Sequence, residues 1–261
     1  MDKRSGLKPA FDDLKKVIEE LSNMKFDEVK TTPVDLKTMR AREAALAARE
    51  IEEQKRLKRK NWINTIHKEG LIDGRYTFET IVRDELNRQA IEMANSFCYL
   101  AASEMPPCFL IRGAEGTGKT VICHAIANKW LELHGHIVNI VSMDDIRKSC
   151  LYNSNELREE RISRDSRWED LCSCSLLIID GVCTNREQLS QFDQDILGKL
   201  LRIRYQRRLP LVITTQIIFM QLHASIGNFC YESIKEYSVI AAELFGASRR
   251  QPIVINGRRL M

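Results

Sequence analysis

The sequence predicts an α/β protein: a mostly parallel sheet flanked by helices, preceded by an N-terminal helical arm. Three observations predict it. From residue 76 onward, short apolar runs alternate with stretches of helix length, the pattern of parallel strands covered on both faces. One run, Cys108-Phe109-Leu110-Ile111, leads into the glycine-rich stretch Gly113-Ala114-Glu115-Gly116-Thr117-Gly118-Lys119-Thr120 and then into a helical pattern. A third, Ser175-Leu176-Leu177-Ile178-Ile179, ends on the carboxylate of Asp180. Ligands of such sheets sit at the carboxyl ends of the strands. The loop after Ile111, Asp180 and Thr215-Gln216 should therefore converge on one site.

The chain of 261 residues suits one sizeable domain plus an appendage. Residues 1–60 read as the arm, 61–75 as a linker and 76–261 as the domain. In residues 1–24, Phe11, Leu14, Val17, Ile18 and Leu21 share one helical face. Thr31-Thr32-Pro33 and Asp35 break and restart the chain. From Leu36 to about Lys60, Ala, Glu, Lys and Arg dominate, so a long helix follows. Its apolar stripe is thin, which suits either a solvated helix or a partner-binding arm. The run Lys55-Arg56-Leu57-Lys58-Arg59-Lys60-Asn61-Trp62 suits a solvated face or a phosphate contact with a stacking tryptophan.

The domain opens at Tyr76-Thr77-Phe78, followed by a helix over 80–103 that Pro106-Pro107 stops. After the glycine-rich loop, Val121, Ile122, Ala125, Ile126 and Leu131 recur at helical spacing, and Gly135 stands where a C-cap belongs. Ile137–Val141 reads as a strand, 143–172 as polar helix, 188–207 as helix and Pro210–Gln216 as a buried strand. The stretch 227–245 reads as helix and Ile253–Ile255 as a short last strand.

Composition narrows the setting. The net charge of +4 permits nucleic-acid contact without demanding it. The eight cysteines are scattered and several lie in apolar runs, so buried free thiols and a reducing compartment are expected. The amino terminus lacks an apolar signal core and no run is long enough to span a bilayer. A cytoplasmic protein without membrane contact is the expectation.

Gly113 to Thr120 fits G-x-x-x-x-G-K-[ST] at every fixed position. Glycines let backbone N–H groups of the whole octet approach phosphate oxygens, and the following helix points its positive end at the same anion. Lys119, expected as a solvated loop lysine, reaches the β- and γ-phosphates, and the Thr120 hydroxyl ligates Mg²⁺. Asp180 stands where a Mg²⁺-ordering carboxylate belongs. Gln216, at the end of a neighbouring strand, suits a γ-phosphate sensor, a group orienting the attacking water, or a plain turn residue. ATP with Mg²⁺ is the expected ligand. Gly181 follows Asp180 where many such ATPases place a glutamate to activate water; Glu187 is a nearby substitute. Slow hydrolysis follows, with Asp180 and Gln216 as the catalytic candidates.

The order of these motifs, from helical arm through Tyr76-Thr77-Phe78, the loop, Leu176–Asp180 and Leu211–Gln216, resembles the AAA+ replicative helicase loaders of the DnaC type and their relatives, the insertion-sequence transposition helper ATPases. The resemblance covers roughly residues 60–261. It implies an AAA+ sheet, ATP with Mg²⁺, single-stranded DNA binding, self-assembly, and an N-terminal domain that grips a hexameric replicative helicase. It also implies that the 143–172 region, with Arg147, Lys148, Arg158, Arg161, Arg164 and Arg167, helps organise DNA. Two positions depart from the family: Phe229 and Ser233 stand where arginines usually reach a neighbour's nucleotide. Lys235 or the pair Arg249-Arg250 could compensate. A transposition regulator and a small-molecule kinase with a P-loop are the alternatives.

Overall fold

The computed structural model describes residues 16, 36–100, 105–151, 157–184, 188–250, 254–255 and 258–259. The amphipathic stretch at Phe11–Leu21, the break at residues 31–35 and Glu187 lie outside them. The chain divides into two compact units, 1–57 and 58–261.

Helix α1 runs Leu36–Lys68. In the first unit its Met39, Leu46 and Ile51 side chains are exposed, as a stripe made mostly of alanine requires. The helix does not end near Lys60. Its last turns bring Trp62, Ile63 and Ile66 against the second unit's own core, and Ile72 is fully buried there. Those four apolar residues carry regular, packed structure into the stretch read as a linker.

Five strands form one parallel sheet: β1 (Pro107–Gly113), β2 (Val138–Val141), β3 (Leu176–Val182), β4 (Leu211–Thr215) and β5 (Ser238–Leu244), in the order β2-β3-β4-β1-β5. Alternate residues of a strand face opposite sides, and the core divides accordingly. Cys108, Leu110, Leu177, Ile179, Leu211 and Ile213 face one layer. Phe109, Ile111, Leu176, Ile178 and Val212 face the other. The first layer is covered by α4 (Met143–Lys148), α6 (Gln191–Gln206), α7 (Phe219–Ile226) and α8 (Asn228–Lys235); the second by α2 (Arg88–Phe97) and α3 (Lys119–His134). Helix α5 spans Arg158–Ser173.

Two expectations are corrected. The stretch 227–245 is not one helix: α8 ends at Lys235 and β5 follows, pairing with β1 over seven residues. The Ala-Ala-Glu-Leu run has good helix propensity, but pairing to a central strand overrides it. Tyr237 fixes the changeover by donating its hydroxyl to Leu201 O at 2.6 Å, and Ser238 N–H then donates to Pro106 O. The short last strand is present: Val254–Ile255 (β6) pairs antiparallel with Arg258–Arg259 (β7), apart from the five-stranded sheet. The helix over 80–103 is shorter, because side chains compete with the backbone for its first turns. Asn87 Nδ2 donates to Val82 O, and Asp84 Oδ1 accepts from the N–H groups of Leu86 and Asn87.

All eight cysteines are free thiols and seven are buried, as expected. Burial pushes Cys98 and Cys108 up to about 12. Arg204 is the largest fully buried side chain. Its guanidinium donates to Leu171 O, Cys174 O and Pro210 O at 2.7–3.0 Å. It ties the end of α5 to the entrance of β4, and burial lowers its pKa.

Helices α6 and α8 pack closely, and one of their contacts is open only to glycine. The Phe229 ring of α8 lies on Gly198 of α6, where an added Cβ would overlap the ring. Arg202 covers the outer face of the same ring, 4.6 Å from its centroid. Gly198→Ala should therefore push α8 outward and lower stability by about 1–3 kcal/mol. A urea melt checks this; an unchanged midpoint would show that the ring can shift freely.

Candidate functional site

The site is built where three strands end. Strand β1 stops at Gly113 and α3 starts at Lys119, so the intervening loop turns the chain back within five residues. Gly116 and Gly118 do this with φ of 76° and 103°, a region that L side chains avoid. Gly113 is required for a different reason: an added Cβ would sit 2.6 Å from Thr117 Oγ1. Thr117 is buried and donates its hydroxyl to Ala114 O at 2.8 Å, which closes the loop on itself.

Lys119 is not a solvated lysine. It is the first residue of α3 and is buried, with Nζ donating to Gly113 O at 2.7 Å and Ala114 O at 2.8 Å. Burial lowers its pKa, and the Asp180 charge opposes that shift. The ammonium is thus held inside the curl of the loop, where anionic oxygens approached by the loop amides would meet it.

Asp180 is oriented by hydroxyls from two other elements. Thr120 Oγ1 donates to its Oδ2 at 2.7 Å and Thr214 Oγ1 donates to its Oδ1 at 2.6 Å. The backbone beneath is irregular: the β3–β4 register shifts between Ile179 and Val182, and Gly181 has a φ of 84°. The Gly181 N–H donates to Thr214 Oγ1 at 2.8 Å, so one threonine serves both the displaced amide and the carboxylate. Such bulges re-aim a side chain beside a site. A glutamate at position 181 would meet the positive φ and place its Cβ 2.5 Å from Thr184 Oγ1. The backbone that aims Asp180 therefore disfavours a carboxylate at position 181. Cys123 lies behind Asp180, with its sulfur 4.0 Å from Oδ1.

These groups line one cleft of ≈ 1340 Å³, together with Gln216, which is half-buried just beyond β4. All expected site residues except Gly113 and Ala114 line it directly, and those two lie behind it as the acceptors for Lys119. The cleft is also lined by Tyr76, which the sequence marked only as the start of the domain, and by residues given no site role there: Thr80, Ile81, Val82, Asn87 and His124. None of these belongs to a spaced motif. Thr214 was closer to view, as part of the polar exit of an apolar strand.

The arginines expected to bind DNA are largely engaged. Arg147 donates to both oxygens of the buried Asp193, at 2.9 and 2.7 Å, and so ties α4 to α6. Lys148 pairs with Asp144, Arg164 with Asp165, and Arg167 donates to Ser163 Oγ. Phe229 is the knob on Gly198, and the buried Ser233 donates to Phe229 O, so both serve helix packing. Lys235 pairs with Glu232 on its own helix.

Thr120 and Asp180 supply hard oxygen donors side by side. That set fits Mg²⁺, which takes one or two protein oxygens and completes its shell with phosphate and water. Among the described residues no group of three or more His, Cys, Asp or Glu side chains could hold a metal by itself, consistent with a cation that arrives with phosphates. No helix among them is long and apolar enough to cross a membrane.

A parallel five-stranded sheet with this loop and this strand-end carboxylate defines an AAA+ ATPase of the P-loop class, a nucleotide-binding fold. Residues 72–215, more than half of the chain, match the model of the bacterial DnaA ATPase domain, and the chain belongs to that family. A search of curated proteins finds no match. Among solved structures, AMPPCP-bound DnaA from Aquifex aeolicus aligns with a TM-score of 0.54 at 19% identity, over 67% of this chain and 51% of its own. DnaI aligns with a TM-score of 0.54 at 20% identity, over 70% of this chain and 100% of its own. The DnaC helicase loader gives 0.52 at 16% identity, over 64% and 97%. The chain spans about half the length of the DnaA structure. The fold resembles that of the DnaC-type loaders, as the motif order implies.

His124 supplies a pH-dependent element. It lies on α3, and its Nδ1 accepts the Asp73 N–H at 3.1 Å, which requires an unprotonated nitrogen. Burial lowers its pKa from the ordinary 6.5. The unfolded chain therefore binds this proton more readily than the folded one, and stability must fall as pH drops below 6.5. Thermal melts between pH 7.5 and 5.5 should show that loss, with a smaller slope in His124→Asn; equal slopes would remove His124 from the effect.

Proposed function

We propose that this chain is an ATP-gated replication protein that binds a hexameric replicative helicase and loads it onto single-stranded DNA. The observation that carries the reading is one of extent. The ATPase unit spans the whole of the aligned DnaI and nearly all of the aligned DnaC helicase loader, but only half of the initiator DnaA. In that reading residues 1–60 form the helicase-binding arm and the rest of the chain is the ATP-driven gate. The protein acts in the cytoplasm, and copies assemble on DNA.

The roles follow the geometry. The amides of Gly113–Thr120 cradle the phosphates and Lys119 neutralises the β- and γ-oxygens. Thr120 and Asp180 hold Mg²⁺, which draws charge from the β- and γ-phosphates when bound. Thr214 fixes the direction of the Asp180 carboxylate. Gln216 faces the γ-phosphate end and orients water. With glycine at 181, and with Phe229 and Ser233 packed into the helix layer, no strong general base or neighbour-reaching arginine stands at those positions. Turnover is slow, and bound ATP acts as a state signal more than as fuel.

Lys119→Ala should abolish binding of a fluorescent ATP analogue. Because Nζ also ties the loop carbonyls, a modest drop in melting temperature should accompany that loss. Retained affinity would remove Lys119 from the phosphate site. A shortened chain beginning at Lys58 keeps the second unit's whole core and should fold and bind ATP, yet fail to capture a replicative helicase in a pull-down. Capture of the helicase by the shortened chain would take the arm out of partner binding; capture of a transposase by the full chain instead would overturn the loader reading.

A further inference from the structure

The segment Ser248-Arg249-Arg250, just after β5, lies across the phosphate loop. Arg249 N–H donates to Gly116 O at 2.9 Å. An added Cβ on Gly116 would overlap Ser248, so the two backbones touch closely. Both arginines line the nucleotide cleft, and each rests on a carboxylate that also lines it or borders it. Arg249 grips Asp84, with contacts of 2.6 and 3.0 Å to its two oxygens. Arg250 Nη1 reaches Glu115 Oε1 at 2.8 Å, within the phosphate loop itself. The segment thus joins two lips of the cleft, the turn at Asp84 and the loop at Glu115-Gly116, through one backbone bond and two ion pairs.

The chemistry of these pairs sets up a competition. A guanidinium presents a fork of donors that fits carboxylate and phosphate alike. A triphosphate on the loop amides and Lys119 brings several anionic oxygens into the cleft that Arg249 and Arg250 line. The Arg250–Glu115 pair has both side chains about 70% exposed, and such pairs are weak enough to exchange readily. Arg249–Asp84 is less exposed, at 31% and 42%, and this pairing holds the Asp84 carboxyl below the usual carboxylate range.

We propose that Asp84 and Glu115 act as built-in competitors for the phosphates: they hold Arg249 and Arg250 in reserve, and nucleotide binding transfers the guanidiniums from carboxylate to phosphate. The two acids thereby set the nucleotide affinity, and the transfer releases the Asp84 lip from the loop. The inference rests on the nucleotide-binding reading of the site.

A double-mutant cycle on the full chain tests it, with a fluorescent ATP analogue titrated at low and high salt. Asp84→Asn keeps an Oδ1 that can accept from the Leu86 and Asn87 amides, so the turn is preserved. This variant should bind the analogue about two- to fivefold more tightly at low salt, the size of one surface charge pair. Arg249→Gln should weaken binding, and adding Asp84→Asn to it should change nothing further. The Glu115→Gln and Arg250→Gln pair should behave in the same way and stands independently of the turn at Asp84. Equal tightening by Asp84→Asn with or without Arg249 would mean simple removal of negative charge and would overturn the proposal, as would no tightening in either acid variant. A wild-type chain that binds no analogue at all would overturn the nucleotide reading itself, whereas strong wild-type binding with additive cycles overturns the competition alone.

Discussion

The carboxylate of Asp180, held between the hydroxyls of Thr120 and Thr214, is the constraint on which the site depends. Those three residues come from three elements: the helix after the glycine loop, the strand β3 and the strand β4. Each hydrogen bond is short, and each hydroxyl gives its one proton here. The glycine loop therefore cannot drift from β3 without breaking the Thr120 bond, nor β3 from β4 without breaking the Thr214 bond. The bulge at Gly181 makes this possible. A regular strand would have spent the Gly181 amide on the ladder; the bulge spends it on Thr214 and rotates that hydroxyl toward the acid. A cost attaches to this arrangement. A side chain at position 181 would be strained by the positive φ, so the same backbone that aims the acid disfavours a second carboxylate beside it.

The charged residues of the second unit divide by a similar logic. Arg147 and Arg204 are both committed to the fold, one to a buried aspartate and one to three backbone carbonyls. Truncating Arg204 would take the donor from three buried carbonyls, and truncating Arg147 would take its guanidinium from the buried Asp193, which costs more than losing a surface pair. Arginine count in the sequence is thus a poor guide to a binding surface here. What distinguishes Arg249 and Arg250 is the company they keep: their partners lie at the mouth of the cleft and remain accessible to water.

Much of the fold was legible because its reasons are local. Apolar runs of four or five residues flanked by turns specify β1, β3 and β4, and the spacing in Gly113–Thr120 is dictated by the backbone path around an anion. Asp180 was legible because the strand before it is apolar to its last residue. The edge strand β5 was not. Its first half is largely exposed, it holds two adjacent alanines, and it becomes a strand by pairing with β1, a partner 131 residues earlier at Arg112–Glu243. The turn over Thr77–Asn87 was missed for the opposite reason: a web of side-chain hydrogen bonds from Asp84 and Asn87 outcompetes a helical pattern. The nucleotide cleft's remaining walls, Asn87 and Arg249 among them, are brought in by tertiary packing that no spacing encodes.

One contact of α3 far from the phosphates has a mechanical meaning. Asn128 donates to Asp73 O at 2.9 Å and Tyr76 O at 2.7 Å and pairs with His67 at 2.7 Å. It therefore fastens the end of α1 and the chain leading to Tyr76 onto the helix that starts at Lys119. At about 1.5 Å per residue, Asn128 sits about 13 Å along a rigid rod from the phosphate loop. A tilt of only about 5° at the loop end displaces it by about 1 Å, comparable to the whole tolerance of a hydrogen bond. The helix is a lever whose short stroke is geared to three bonds at its far side, all of them within the second unit.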